Sequence, residues 1–420
     1  MARRYFGTDG VRGVVGETMT PALIERVGKA ATLWAGGGEV FVGRDTRASG
    51  PELEAALARG IASAGGTAVL GGVLPTPAVA LQVRDLGAVV SASHNPPQYN
   101  GVKLFDRAGR KLSDGSEEQI ESLLDAPAPG GGRLERVADA AEHYVGHVLE
   151  HFGGDLDGLK VGVDCANGAY AAIAPGVFRR LGAAVTPVAT EPDGTNINVG
   201  CGATDLSALQ QIVTRHGLDL GVAFDGDGDR MLAVDESGDA VDGDQILAVL
   251  ALQLGVDLVA VTSMTNLAFH RLMDEHGIRV VTTDVGDRYI LEALHREGGV
   301  LGAEQSGHIV YLRDHVTGDG LVAALLLCRA LEGRSLADAV AVLERYPQAT
   351  ENVAVRTKAI PDGIHEEAER LRAALDGRGR VLVRPSGTEP VIRVLAEAQT
   401  AKEAADLCGR IAALVRRELG

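Results

Sequence analysis

The feature that most constrains the fold is a strand, helix, strand, helix, strand pattern that occurs three times before about residue 345. The first copy runs from EVFVG, ending near Val42, through a helical stretch from Pro51 and TAVL around Val69 to GAVV ending at Val90. The second uses LKVGV around Val163, a helix through Val177 to Leu181, AAVTPV around Val185 and DLGVAF ending at Phe224. The third uses LVAVT around Val261, a helix near Leu267 to Glu275, RVVTT around Val281 and GVLG ending at Gly302. Apolar strands alternating with helices build parallel sheets covered on both faces. The likeness is one of pattern rather than identity, and it predicts three related α/β domains with mixed or parallel sheets. The remaining chain reads as a smaller α+β domain: ENVAVR as a strand, a helix from His365 to Leu375, VLVR and VIRVLAEA around PSGTEP, and an amphipathic helix to Leu419. The expected domains are 1–151, 152–244, 245–347 and 348–420. DAPAPGGGR, Asp125 to Arg133, reads as a surface loop.

Composition narrows the ligand. The 420 residues hold 40 Lys and Arg against 57 Asp and Glu, a formal charge of −17. An acidic surface with only 4% aromatic residues argues against nucleic-acid or anionic-membrane partners, which need a basic field. The longest apolar stretches, Ile246 to Leu252 and Leu321 to Cys328, fall far short of the ~20 residues of a spanning helix. MARRYFGTDG at the start carries no apolar run, so a cytoplasmic product is expected. Cys165, Cys201, Cys328 and Cys408 show no CxxC spacing and read as reduced thiols.

Each copy of the repeat ends in a polar string: SASHNP after Val90, DGDGDR after Phe224 and AEQSGH after Gly302. Open α/β sheets bind ligands beyond the carboxyl ends of their strands, so three equivalent loops would converge on one cleft. In DGDGDR, the glycines let the backbone curl until Asp225, Asp227 and Asp229 face one point, a site for a hard cation such as Mg²⁺. Glu236 falls at the twelfth position of an EF-hand loop, but Arg230 stands where that loop needs glycine and the flanks are strands. SASHNP offers Ser93 as a nucleophile on a sharp turn beside His94. No GxSxG, Walker A or GxGxxG string accompanies it. In AEQSGH, Glu304 and Ser306 suit sugar hydroxyls, and His308 can exchange a proton near neutral pH. RPSGTEP places Arg384, Ser386, Gly387 and Thr388 in an anion cradle with Arg393 nearby, against the competing reading of a plain hairpin turn. Arg12 sits among the glycines of GTDGVRG. His143, His147 and His151 stripe one helix face and read as a solvated face or a domain seam.

Taken together and in order, these strings resemble the α-D-phosphohexomutase superfamily. GTDGVRG, SASHNP, VDCANGA, GATDLSALQ, DGDGDR, VDGDQ, VGDRY, AEQSGH and RPSGTEP all fit, and the likeness covers the whole chain. Serine opening SASHNP, and the lack of methionine between Glu304 and Ser306, resemble the branch acting on glucosamine phosphates; Gln305 stands where that branch often has asparagine. The resemblance implies a four-domain, heart-shaped enzyme that interconverts glucosamine 6-phosphate and glucosamine 1-phosphate for amino-sugar nucleotide and cell-wall precursor synthesis. Ser93 would be the phosphoserine, its phosphate shared with one Mg²⁺ on Asp225, Asp227 and Asp229. A hexosamine 1,6-bisphosphate would be intermediate and activator. Lys103 would be the general base, its pKa depressed by Arg12, with His308 as its partner and His94 beside the serine. Glu304, Ser306 and Arg230 would hold the sugar, while Arg384, Ser386, Gly387, Thr388 and Arg393 would clamp the non-reacting phosphate. The four domains would then carry phosphoserine, metal, sugar and phosphate clamp in turn, and a homodimer is compatible. The rival readings are a phosphomannomutase/phosphoglucomutase, an Mg²⁺-dependent phosphatase, and a non-catalytic sugar-phosphate or Mg²⁺ binding protein.

Overall fold

A computed structural model describes residues 4–7, 9–386 and 390–420. The chain up to Met264, with Ile278–Val342, forms one compact unit, and Thr265–Gly277 with Leu343–Gly420 forms a second. The larger unit contains three sheets. In the first, Thr67–Val73, Glu39–Arg44, Leu86–Val90 and Tyr99–Phe105 lie side by side, extended by Gly10–Val14 and Phe6–Gly7 at one edge and by Arg133–Arg136 at the other. The second runs Ala184–Val188, Lys160–Asp164, Leu220–Phe224, Met231–Asp235, Ala240–Val241, and the third runs Arg279–Thr283, Leu258–Thr262, Leu301–Ala303, Ile309–Tyr311.

The same order recurs in all three: second strand, first strand, third strand, then a fourth strand antiparallel to the third. The first three strands are parallel, as the repeat predicts. The fourth strand has a simple cause. The chemical loops, residues 91–98, 225–230 and 304–308, are too short for a crossover, which needs a dozen residues or more, so the chain returns antiparallel. Each polar string therefore sits at a tight reversal beyond the carboxyl end of a third strand. Those third strands are buried throughout, so the loops grow from fixed stems.

Helix starts fix the loops from the other side. Asp242 and Gln245 form a reciprocal capping box at the head of Gly243–Leu254, where a Cβ on Gly243 would lie 2.1 Å from the Glu304 carbonyl. Asp319 caps Gly320–Ala330, and the Gly320 amide donates to the carbonyl of Gly228 in the DGDGDR loop at 3.0 Å.

The second unit is an antiparallel sheet, Gln348–Ala354, Val391–Glu397, Arg380–Pro385, with helices Asp362–Leu375 and Ala401–Leu419 packed on a core of Val353, Ile364, Leu371, Val381, Ile392, Ile411 and Val415. Helix Leu267–Glu275 belongs to it: the Leu267 amide donates to Glu397 Oε2 at 2.9 Å, and Asn266 exchanges hydrogen bonds with the Tyr346 backbone. Among the described residues, no helix is long and apolar enough to cross a membrane.

Candidate active site

Ser93 lies just past the strand Leu86–Val90, is 1% exposed, and adopts φ of 53°. The left-handed region costs a non-glycine residue on the order of 1 kcal/mol, so the surroundings must hold it there. Its hydroxyl donates to Asp225 Oδ2 at 2.5 Å, and its Oγ stands 3.3 Å from His94 Nδ1. Burial, followed by the cationic Arg230 and Arg12, pushes His94 down to about 4, so the imidazole beside the serine is neutral at pH 7.

Asp225, Asp227 and Asp229 are buried, and one oxygen from each lies within 4.8 Å of the others. Among the described residues this is the one such group of three metal-ligating side chains. Burial, then Asp227 and Asp229, pushes Asp225 up to about 8. Among the described residues, Asp227 Oδ1 has no hydrogen-bond partner, and Asp229 Oδ1 has only His308 Nδ1 at 3.7 Å. Crowded, buried carboxylate oxygens left without donors suit a hard, oxygen-seeking cation.

Lys103 projects from the strand Tyr99–Phe105 with 1% exposure, and its Nζ lies 2.7 Å from Asp227 Oδ2 and 2.9 Å from Asp229 Oδ2. The expected depression of its pKa is reversed. Burial would lower it, but Asp227, Asp229 and Asp9 together hold it well above the ordinary lysine value, outweighing Arg12. Lys103 is thus an ammonium balancing the aspartates. His308 is raised as well: burial lowers it, and Asp287, with Nε2 to Oδ2 at 3.2 Å, and Asp229 more than offset that. Arg12 pairs with Asp9, which also accepts from Lys111 Nζ at 2.8 Å, and Lys111 pairs in turn with Asp287.

The AEQSGH string forms a tight hairpin. Glu304 accepts from the Gly286 amide at 2.9 Å and from Ser306 Oγ at 3.2 Å, joining AEQSGH to VGDRY. Arg230 is held above its ordinary value; burial opposes this, and Asp225, Asp229 and Glu304 prevail, so its charge lies between the DGDGDR and AEQSGH strings.

In the second unit, Arg384 and Arg393 stand directly opposite each other on adjacent strands. Like charges directly opposite each other on adjacent strands repel. Ser386 is buried, and its carbonyl accepts from Lys358 Nζ at 3.0 Å. Gly387 and Thr388 lie outside the described residues.

The models of the phosphoglucomutase/phosphomannomutase alpha/beta/alpha domains I, II and III match residues 3–129, 142–238 and 242–346, and that of its C-terminal domain matches 340–414. The phosphoglucosamine mutase of Saccharopolyspora erythraea is 49% identical, covering 98% of this chain and 99% of its own, and that of Pelotomaculum thermopropionicum is 46% identical with 98% of each covered. The chain belongs to the phosphoglucosamine mutase family. A solved phosphoglucomutase/phosphomannomutase family protein from Burkholderia thailandensis superposes with a TM-score of 0.87 at 25% identity, covering 99% of this chain and 98% of its own.

Within this family member the structure brings Ser93, His94, Lys103, Arg12, the three aspartates, Arg230, Glu304 and His308 into one linked cluster. It also adds residues that sequence reading missed. Thr76 Oγ1 donates to Asp227 Oδ2 at 2.6 Å, and its amide donates to the Asp227 carbonyl at 2.8 Å, fixing that carboxylate from the helix Thr76–Leu81. Asp9 and Asp287 stood inside the quoted strings GTDGVRG and VGDRY; their acidic side chains beside a neighbouring arginine were the available signal. The histidine stripe is a seam. His143 is exposed beside Asp139, whereas His147 lies tilted against His151 at 4.5 Å and stacks on His315 at 5.7 Å between ring centroids. His315, from the loop before the helix Gly320–Ala330, closes that contact.

Proposed function

We propose that Ser93 carries the phosphoryl group in an enzyme that interconverts glucosamine 6-phosphate and glucosamine 1-phosphate through a 1,6-bisphosphate. One observation carries this reading: a buried, left-handed serine hydroxyl seated 2.5 Å from a crowded three-carboxylate cluster. In the forward half-reaction the Ser93 Oγ–P bond breaks as a bond forms from phosphorus to the free sugar hydroxyl, whose proton ends on Oγ. After the bisphosphate reorients, the other phosphoryl group returns to Oγ, so net phosphate is conserved.

Asp225, Asp227 and Asp229 would hold one Mg²⁺ together with the Ser93 phosphate, and that ion supplies charge withdrawal from the phosphoryl group. His308, its pKa raised by Asp287 and Asp229, is placed to give a proton to a departing sugar oxygen. Lys103, an ammonium, is assigned to phosphoryl charge; a base role would need its carboxylate partners turned away. His94 Nδ1, neutral and near Oγ, orients the hydroxyl. Glu304, Ser306 and Arg230 hold the sugar, and Arg384, Ser386 and Arg393, with Gly387 and Thr388, take the phosphate that is not reacting.

Coupled assays on glucosamine, glucose and mannose 6-phosphates separate this reading from a phosphomannomutase/phosphoglucomutase. Glucosamine 6-phosphate should give the highest kcat/KM, and a clear preference for mannose would overturn the substrate assignment. Intact mass of Ser93→Ala should lack the phosphate adduct of the parent; an adduct retained would move the carrier elsewhere.

A further inference from the structure

We infer that Arg47 is the positioning residue of the phosphoryl-carrying loop and that Asn198 braces the same loop; the inference rests on Ser93 being the carrier. Arg47 follows the strand Glu39–Arg44 in GRDTRAS, is fully buried, and has one carboxylate partner, Asp45, also fully buried. Arginine has five N–H donors in a planar fork, and each is used here. Nε donates to Asp45 Oδ2 at 2.9 Å, Nη1 to the carbonyls of Pro96 at 2.6 Å and Tyr99 at 3.0 Å, and Nη2 to the carbonyls of Ser93 at 2.8 Å and Asn95 at 2.7 Å. Four of five bonds therefore go to the backbone of SASHNP and the residues leading into the next strand.

The other side of Ser93 is tied to the same pair. Its amide donates to Ser91 Oγ at 2.9 Å, and Ser91 Oγ donates to Asp45 Oδ2 at 2.6 Å. Both peptide groups flanking Ser93 thus end on the Asp45–Arg47 pair, a closed ring that accounts for a serine held at φ of 53°. Asn198, from the loop after the strand Ala184–Val188, adds Nδ2 bonds to the Ser93 carbonyl at 2.9 Å and the Asn95 carbonyl at 3.2 Å. The metal loop abuts the same carbonyl: a Cβ on Gly226 would lie 2.7 Å from Ser93 O and 2.8 Å from Asn198 Nδ2. Buried arginine is costly unless its charge is met by acceptors. Spending it on four loop carbonyls beneath a strained nucleophile is what placing Oγ relative to the aspartates requires.

The test is single-turnover phosphorylation of the dephosphorylated, Mg²⁺-loaded enzyme by glucose 1,6-bisphosphate, followed by intact mass. In that step the sugar O–P bond breaks, the Ser93 Oγ–P bond forms, and the hydroxyl proton ends on the sugar oxygen. Arg47→Lys keeps the charge but loses the fork, and a misplacement near 1 Å costs about 100-fold, so its transfer rate should fall on the order of 100-fold. Asn198→Ala, which removes no charge from the core, should fall roughly 10-fold and keeps the test open if Arg47→Lys folds poorly. In both, KM for glucosamine 6-phosphate and the Mg²⁺ midpoint should stay close to parental. Variants that melt earlier yet transfer at the parental rate per folded molecule would show a merely structural role and overturn the inference alone. An adduct that persists in Ser93→Ala would overturn the carrier assignment, and the inference with it.

Discussion

Replacing Asp225 by Asn should stabilise the metal-free protein while removing its response to Mg²⁺. The three aspartates offer oxygens within 4.8 Å of one another, which at an effective dielectric of about 20 amounts to about 3.5 kcal/mol of repulsion per ionised pair. Protonation gives a second route to the magnitude. Asp225 is pushed from 3.8 up to about 8, so keeping it protonated at pH 7 costs about 4 kcal/mol relative to the unfolded chain. Lys103 already serves Asp227 and Asp229 but makes no bond to Asp225, so the relief falls on the residue replaced. Asparagine keeps an acceptor for the Gly228 and Arg230 amides that now bond Oδ1, and its Nδ2 can donate to Ser93 Oγ, which now donates to Oδ2, so little hydrogen bonding is lost. We expect a net gain of about 2–4 kcal/mol, a rise of several degrees in Tm for a unit of this size. The assay is thermal unfolding of dephosphorylated protein in EDTA and in MgCl₂. Ligand at 100 times its Kd stabilises a protein by about 2.7 kcal/mol, a gain expected in the parent and largely absent from the variant. A variant that melts below the parent in EDTA, or gains equally from Mg²⁺, would refute the reasoning.

Lys103→Met removes the ammonium that balances Asp9, Asp227 and Asp229; leaving buried charge uncompensated costs about 3–5 kcal/mol, seen as a lower Tm in EDTA that Mg²⁺ restores more in the variant than in the parent. Gly168→Ala would put a Cβ 2.4 Å from the Gly226 carbonyl, so the metal loop must shift; chemical denaturation should show a loss of about 1–3 kcal/mol and the Mg²⁺ midpoint should rise, whereas an unchanged midpoint would mean the loop absorbs the methyl. Burial pushes Asp164 from 3.8 up to about 6, a term favourable to folding below 3.8 and lost as pH rises through 6, in all about 3 kcal/mol. Asp164→Asn cannot titrate, so its stability relative to the parent should improve by up to that amount between pH 4 and 7; a difference that does not vary with pH would place the cause elsewhere.

Much of this site was legible in the chain. Strand positions followed from apolar runs such as GAVV and LGVAF, and the three polar strings after them marked where chemistry collects. Asp225, Asp227 and Asp229 were readable because their spacing by glycines is a local property, as was the helix Leu267–Glu275 between its two strands. That this helix belongs to the compact unit of the C-terminal sheet is a tertiary fact, made by Glu397 and Tyr346 far along the chain.

The pKa of Lys103 was the clearest reversal. Sequence order brings Arg12 and Lys103 into the same sheet but does not say which charges surround the ammonium, and folding delivers three carboxylates against one guanidinium. Thr76, Arg47 and Asn198 were missed for a related reason: each acts on a partner between 46 and 151 residues away, a separation at which no spacing rule operates. The sequence by itself determined the strands and the three loops, and it singled out Ser93 and the three aspartates as candidates, because each is written in neighbouring residues. Only the tertiary structure decided how the serine is held left-handed, which cation balances the aspartates and which proton states follow, because burial and Coulomb energies depend on distances that exist once the chain has folded.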